Sequence, residues 1–292
     1  MTFQLFLKRE LSRFYQGATN GELPLKIPLL NGIRQDYKEM HWHLFPEVFF
    51  QLEGSSLFRF PSQNIELNAG EICILPRGIP HREMAQDSKS KNLVIMTAEN
   101  TTSIHLGSAL KGEMSVIKEM IPFNDLKSER ISELLDDIVY TYTAEHPYKE
   151  DMICATLVLH IAHLLTLIEN YKNIGHSANH KVYQCKRIIL THLHSSELNV
   201  PQIASFIDCS SDYLSSLFKQ ETGIGLISYL QQQRINLACD LLANNPLDVN
   251  QVSRQVGFSE SGYFIKVFKN LIGKTPKAYQ KINRSALNST DT

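Results

Sequence analysis

Paired cysteines are missing from this chain of 292 residues: Cys73, Cys154, Cys185, Cys209 and Cys239 are widely spaced and odd in number. No two stand at a zinc-knuckle or redox spacing, so free thiols in a reducing cytoplasm are expected rather than disulfides. A long uninterrupted apolar run is missing as well. The most apolar stretch, Met152 to Ile168, falls short of the roughly 20 residues that a membrane span needs, and it contains His160 and His163. A buried or interface helix is expected there, with no membrane partner. The opening MTFQLFLKRELSRF carries charge too early for a secretory signal, which again leads to the expectation of a cytoplasmic protein. Net charge is nearly absent too, at −1 from 29 Lys and Arg against 30 Asp and Glu. That balance conceals two unlike parts. Residues 181 to 292 hold 12 basic against 8 acidic side chains, a net of +4, whereas residues 1 to 180 hold 17 against 22, a net of −5. A basic C-terminal part suits a polyanionic partner. The length suits two domains, each able to bury a core.

Residues 1 to about 40 show little periodicity, and Gly21, Pro24, Pro28 and Gly32 divide them, so an arm with edge strands is expected. From His41 the pattern turns to short strands rich in aromatic and branched residues: Glu47 to Leu52, Ser56 to Phe60, Ile65 to Leu67 and Glu71 to Leu75. Gly54, Pro61, Asn68 to Gly70 and Pro76 to Pro80 separate them. This spacing implies a sandwich or double-sheet barrel with no helix before about Asn100. Residues 100 to 127, with Gly107, Gly112 and Pro122, read as transitional. Two amphipathic helices follow, one through Ile131, Leu134, Leu135, Ile138 and Tyr142, the other through Ile153, Leu157, Ile161, Leu164, Ile168 and Tyr171. Dimerisation, docking of two domains and packing within the barrel's own domain are all open to such a pair. Asn170 to His180 has the composition of a linker.

The C-terminal part contains the most informative stretch, Val249 to Gln280. Val249, Val252 and Val256 have the spacing of one helical face. Gly257 then permits the left-handed backbone of a sharp turn, and Ser259 is expected to cap the next helix. That helix places Phe264, Val267, Phe268 and Leu271 on its buried side and Lys266 and Lys269 on the other. Helix, tight turn and basic second helix make a helix-turn-helix. The pattern occurs twice. Leu198, Val200, Ile203 and Ile207 answer Leu247, Val249, Val252 and Val256 at a shift of 49, and Tyr213, Phe218, Lys219, Gly223 and Tyr229 answer Tyr263, Phe268, Lys269, Gly273 and Tyr279 at a shift of 50. The extra residue falls in the turn. Two copies are too few for a solenoid; two tandem DNA readers fit.

Gly257, Phe258, Ser259, Tyr263, Phe264, Phe268, Lys269, Gly273, Pro276 and Tyr279, at these spacings, resemble the signature of the AraC/XylS family of transcription regulators, over about the last hundred residues. Gly262 departs from the small polar residue often found at its place. The resemblance implies two helix-turn-helix subdomains joined by a long helix, here about Ile227 to Ala243, with both recognition helices on one side of the DNA. On the first, about Ser210 to Glu221, it leaves Asp212, Ser215, Ser216 and Lys219 for the groove; on the second, Ser261, Ile265, Lys266 and Lys269. Positions 215, 216, 265 and 266 are the expected base contacts. Neither face carries an arginine, the usual strong reader of guanine, so the serine-bearing first helix is expected to read weakly.

Upstream, His41, His43 and Glu47 form H-x-H-x3-E, and Gly70, Pro76, Gly78 and His81 form G-x5-P-x-G-x2-H. Together these look like the two motifs of the cupin barrel, although Gly32 lies further upstream than that pattern places it and Ala85 stands where it has an asparagine. Residues two apart on an extended chain face one way, so the imidazoles of His41 and His43 converge. Glu47 and His81 then complete a set able to hold a divalent transition metal or to contact an organic effector. Trp42, between the two histidines, is expected to point away. Arg77 and Arg82 suit either an anionic effector or an exposed salt bridge.

The expected fold is therefore α+β and multidomain: a cupin-like effector-binding β-barrel over residues 1–125, a helical dimerisation or linker segment over 126–180, and an all-α DNA-binding domain with two helix-turn-helix motifs over 181–292. The expected function is that of a non-enzymatic, sequence-specific regulator, an activator, with double-stranded promoter DNA, a small-molecule effector and RNA polymerase as partners and a homodimer as its assembly. Two alternatives stay open: a metal-dependent cupin enzyme with a DNA-binding tail, and a regulator that senses the metal or its redox state.

Overall fold

The computed structural model describes residues 2–29, 40–43, 45–98, 101–124, 128–171, 178–244 and 247–287. Contacts divide the chain into two units that meet in sequence between Asn173 and Ile174. The first unit opens with a helix, α1 (Phe3–Thr19), which corrects the expected arm. Leu7, Leu11, Phe14 and Ala18 recur every three or four residues and are all buried. Thr2 caps the first turn by accepting a hydrogen bond from the Leu5 amide. The glycine and proline breakers come only after this helix. The expected edge strand follows as β1 (Leu25–Lys26), paired parallel to a later strand at the margin of the sheet.

Eight further strands follow: β2 (Glu47–Glu53), β3 (Ser55–Arg59), β4 (Asn64–Asn68), β5 (Ile72–Leu75), β6 (Arg82–Ala85), β7 (Ser90–Ala98), β8 (Thr101–Ala109) and β9 (Val116–Asn124). They form a six-stranded sheet in the order β1-β5-β2-β7-β8-β9 and a three-stranded sheet in the order β4-β3-β6. The region read as transitional is thus two long strands. Gly107 sits where the β8–β9 register shifts, as a bulge allows. Pro122 is tolerated because β9 is an edge strand, where a missing amide donor breaks no second ladder.

Alternation along β2 and β5 supplies two cores at once. Val48, Phe50, Ile72 and Ile74 point to one face of the large sheet and join a core with α1 and with α2 (Ser128–Thr143) and α3 (Lys149–Asn170). Phe49, Cys73 and Leu75 point to the other face and pack against Phe58 and Leu67 of the small sheet. The result is a helical layer, a large sheet and a small sheet. Glu47 shares the parity of Phe49, so it faces the space between the sheets. The segment 126–180 contributes α2 and α3 to the helical layer; its residues 172–177 lie outside the described residues, as does Gly32. By length and composition α3 could cross a membrane, yet Leu157, His160, Ile161, Leu164, Leu167 and Ile168 are buried within this unit. All five cysteines are free.

The second unit is helical: α4 (Ala178–Thr191), α5 (Val200–Phe206), α6 (Ser211–Thr222), α7 (Leu226–Asn244), α8 (Val249–Gln255), α9 (Ser261–Ile272) and α10 (Pro276–Leu287). The pairs α5/α6 and α8/α9 are the two helix-turn-helix repeats, and α7 is the long helix between them. Gly257 has φ +81°, and Asp208 holds the equivalent place in the first copy at φ +53°; aspartate is among the few residues that tolerate this region. Ser259 is not the cap. The capping position of α9 is Glu260, whose side chain makes no cap hydrogen bond, whereas its counterpart Ser210 accepts from the Tyr213 amide at 3.3 Å. Ser259 is the extra residue of the second turn, inserted ahead of the cap. Leu271, expected on the buried side of α9, is exposed.

Candidate nucleic-acid interface and imidazole pocket

In the second unit, burial of one face of each recognition helix fixes what the other face offers. Leu214, Leu217 and Phe218 anchor α6; Phe264, Val267 and Phe268 anchor α9. Asp212, Ser216, Lys219, Ile265, Lys266 and Lys269 are exposed, and Ser215 and Ser261 are half-buried. Lys219, Lys266 and Lys269 make no ion pair among the described residues. Sequence reasoning missed three neighbours: Lys274, Lys277 and Lys281, at the start of α10 and on its first two turns, are also exposed. Their spacing of three and four was a readable signal of one basic helical face.

In the first unit, the histidines are assembled by backbone pairing. The His41 amide donates to the His81 carbonyl at 2.9 Å and the His81 amide to the His41 carbonyl at 2.8 Å, making these residues direct cross-strand neighbours. The Gly78 amide donates to the His43 carbonyl at 2.6 Å and holds the second motif against the first. Ring centroids are 4.3 Å apart for His41 and His81, 5.0 Å for His41 and His43, and 5.4 Å for His43 and His81. One ring nitrogen from each lies within 4.8 Å of the other two.

Glu47 closes the cluster from the start of β2. Its Oε2 is 3.3 Å from His43 Nε2 and 3.5 Å from His81 Nε2. Burial alone would raise its pKa, but the two imidazoles outweigh burial and hold the carboxyl well below the usual range. His81 Nδ1 donates to the Ile79 carbonyl at 2.9 Å, which orients the ring so that Nε2 faces Glu47. That Nε2, and Nδ1 of His43, are buried without a well-formed hydrogen bond, an arrangement that a cation or a polar ligand would complete. The three imidazoles and one carboxylate fit a divalent transition metal.

Glu83 was missed. It lies on β6, two residues beyond His81 along the same extended chain, and so on the same face. Its Oε2 is buried and unpartnered, and burial, together with the charge of Glu47, pushes its pKa up to about 7. Trp42 is half-buried. Arg77 takes the salt-bridge role: its guanidinium grips Asp136 of α2 through Nε at 2.9 Å and Nη2 at 2.6 Å and donates to Ser132 Oγ.

Two tandem helix-turn-helix repeats, the second with a basic outer face, define a DNA-binding protein. Residues 203–282 match the family model described as a helix-turn-helix domain. The chain is 26% identical over 236 residues to the Msm operon regulatory protein of Streptococcus mutans, covering 80% of this chain and 83% of that one. It is 36% identical over 107 residues to the regulatory protein PocR of Salmonella typhimurium, covering 36% of this chain and spanning only 35% of that protein. Among solved structures, the C-terminal domain of the two-component response regulator yesN from Fusobacterium nucleatum is 35% identical, with 35% of this chain and 98% of that one covered and a TM-score of 0.34. The C-terminal part of the chain is an AraC-type helix-turn-helix domain, and the chain is a DNA-binding transcription regulator.

Proposed function

We propose that the chain is a cytoplasmic transcription activator that responds to a small effector held in a cupin-like pocket of its first unit. The cluster of His41, His43, Glu47 and His81, with His43 Nδ1 buried without a well-formed hydrogen bond and His81 Nε2 meeting only Glu47 at 3.5 Å, carries this reading. A fold does not retain such groups between two sheets cheaply unless a ligand satisfies them. An effector alters regulation only if it prefers one of two arrangements of the regulator. The activated form engages RNA polymerase at the promoter and acts as a homodimer. The relatives are regulators, which supports a binding role for the pocket rather than catalysis.

On the DNA side, Ser215, Ser216, Ile265 and Lys266 face bases, while Asp212, Lys219, Ser261 and Lys269 border the groove. Lys274, Lys277 and Lys281 add phosphate contacts. The test is a gel-shift and footprint series with the full chain on duplexes selected from a random pool. Lys266→Ala weakens selected duplexes by about 1–3 kcal/mol and random DNA hardly at all if it reads a base; equal loss on both makes it a phosphate contact. DNA binding that ignores every candidate effector would leave a constitutive regulator.

The three-imidazole, one-carboxylate set favours a second reading, in which a divalent transition metal or its redox state is the signal. His43→Ala then abolishes the response to the metal while DNA affinity without metal is unchanged. Metal analysis of protein purified without chelator separates the two readings.

A further inference from the structure

Arg234 lies on α7, the helix between the two repeats, and is buried with no carboxylate partner among the described residues. Its Nε donates to the Leu193 carbonyl at 3.2 Å and its Nη2 to the Ser195 carbonyl at 2.6 Å. Both acceptors belong to the segment between α4 and α5, which leads into the first helix-turn-helix. The other side of the guanidinium meets the second: its central carbon is 5.6 Å from the centroid of Phe258, in the turn between α8 and α9. Gly257 completes the junction. A Cβ there would stand 2.2 Å from the Leu193 carbonyl oxygen and 2.9 Å from both Nε and Nη2 of Arg234.

We propose that Arg234 is a positioning residue that locks the two helix-turn-helix repeats into one rigid body and so sets the spacing of the DNA half-sites they read. The inference rests on the reading that both α6 and α9 contact DNA. The chemistry requires an arginine: only a planar fork with several donors reaches two main-chain carbonyls while stacking on a ring. A second link, from Gln231 Nε2 to the Tyr263 hydroxyl at 2.6 Å, ties α7 directly to α9. The guanidinium stays charged at neutral pH, since burial lowers its pKa only to about 10.

The test uses the full chain and a duplex selected from a random pool, with its two half-sites mapped by footprinting. Inserting two base pairs between them rotates one half by roughly 70° about the axis. For the wild type this costs on the order of a hundredfold in affinity, the avidity of a rigid pair. Arg234→Met is expected to bind the uninterrupted duplex about tenfold more weakly, to lose little more on the insertion, and to match the wild type on a duplex with one half-site. Arg234→Lys, which keeps one donor group and the charge, falls between. An equal loss on the single half-site would make Arg234 a fold residue and overturn the proposal. Indifference of the wild type to the insertion would overturn it without any variant. A wild-type footprint confined to one half-site would instead remove the two-reader reading, and the spacing role with it.

Discussion

Acid should weaken the first unit through one side chain far from the pocket. His160 is fully buried on α3, and neither ring nitrogen makes a well-aligned hydrogen bond. Burial lowers its pKa from the ordinary 6.5 to about 4; the Ile131 backbone opposes this and the charge of His163 adds to it. Because the folded value lies below the unfolded one, the unfolded chain takes up the proton first. The stability tied to neutral His160 is complete above about pH 6.5 and is lost as pH falls towards 4. At about 1.4 kcal/mol per pH unit, the loss approaches roughly 3 kcal/mol. His160→Leu removes it at similar volume and leaves no buried polar group behind. Urea unfolding followed by the fluorescence of Trp42, the single tryptophan and a reporter of the first unit, measures both proteins from pH 7.5 to 4.5. Carboxylates such as Glu47 are common to both and cancel in the difference. The two should lie within about 1 kcal/mol at pH 7.5, with the variant ahead by roughly 2 to 3 kcal/mol at pH 4.5. A difference that does not change with pH would refute the reasoning and place the proton of His160 in a hydrogen-bonded environment.

Gly257→Ala puts a side chain on a backbone at φ +81° and against the Leu193 carbonyl, so thermal melting of the helical unit should show a loss on the order of 3 kcal/mol; wild-type melting would mean that the junction is loose. Glu260→Ser supplies the cap that Ser210 already gives the first repeat, and should add about 1 kcal/mol, read by the same melts. Arg77→Ala deletes a half-exposed ion pair with Asp136, for which less than about 1 kcal/mol is expected in urea unfolding; a lost effector response with stability intact would instead make Arg77 an anion contact. Replacing Lys274, Lys277 and Lys281 by Gln should shallow the salt dependence of DNA binding by up to about 3 in log–log slope, and an unchanged slope would take α10 off the phosphates.

The repeat was legible because its apolar and glycine positions recur at nearly fixed shifts, and the long helix and both recognition helices fall within a residue or two of where the pattern puts them. The cap at Ser259 was misread for a local reason: a serine after the turn is a good cap by propensity, but the one-residue insertion moves the capping position to Glu260. α1 was obscured by polar residues between Leu7, Leu11, Phe14 and Ala18, and by attention to breakers that lie beyond its end. Gly107 and Pro122 suggested irregular chain because, without the topology, neither a bulge nor an edge position is visible. The convergence of His41 and His43 followed from alternation alone. Their meeting with His81 needed a backbone bridge across forty residues of sequence. Glu83 could have been added by the same alternation, two residues from His81. Arg234 could not: among Gln231, Gln232 and Gln233 it reads as part of a solvated face, and only the fold turns it inward.

The two repeats share a framework and differ in what they present. Beyond their buried faces, the first presents half-buried Ser215 and exposed Asp212, Ser216 and Lys219 on α6, while the second exposes Ile265, Lys266 and Lys269 and is followed by three more lysines around α10. Phosphate attraction scales with the number of cations that reach the backbone, so on the proposed DNA contacts the second repeat would supply most of the attraction and the first mainly short hydrogen bonds. Short hydroxyl contacts discriminate only when the helix bearing them is held in register, because a serine cannot reach across a gap that a lysine spans. A weak reader beside a strong one therefore gains from a rigid connection more than two strong readers would. The proposed positioning role of Arg234 would meet that need at the junction, where the buried guanidinium stands beside a glycine with no room for a side chain.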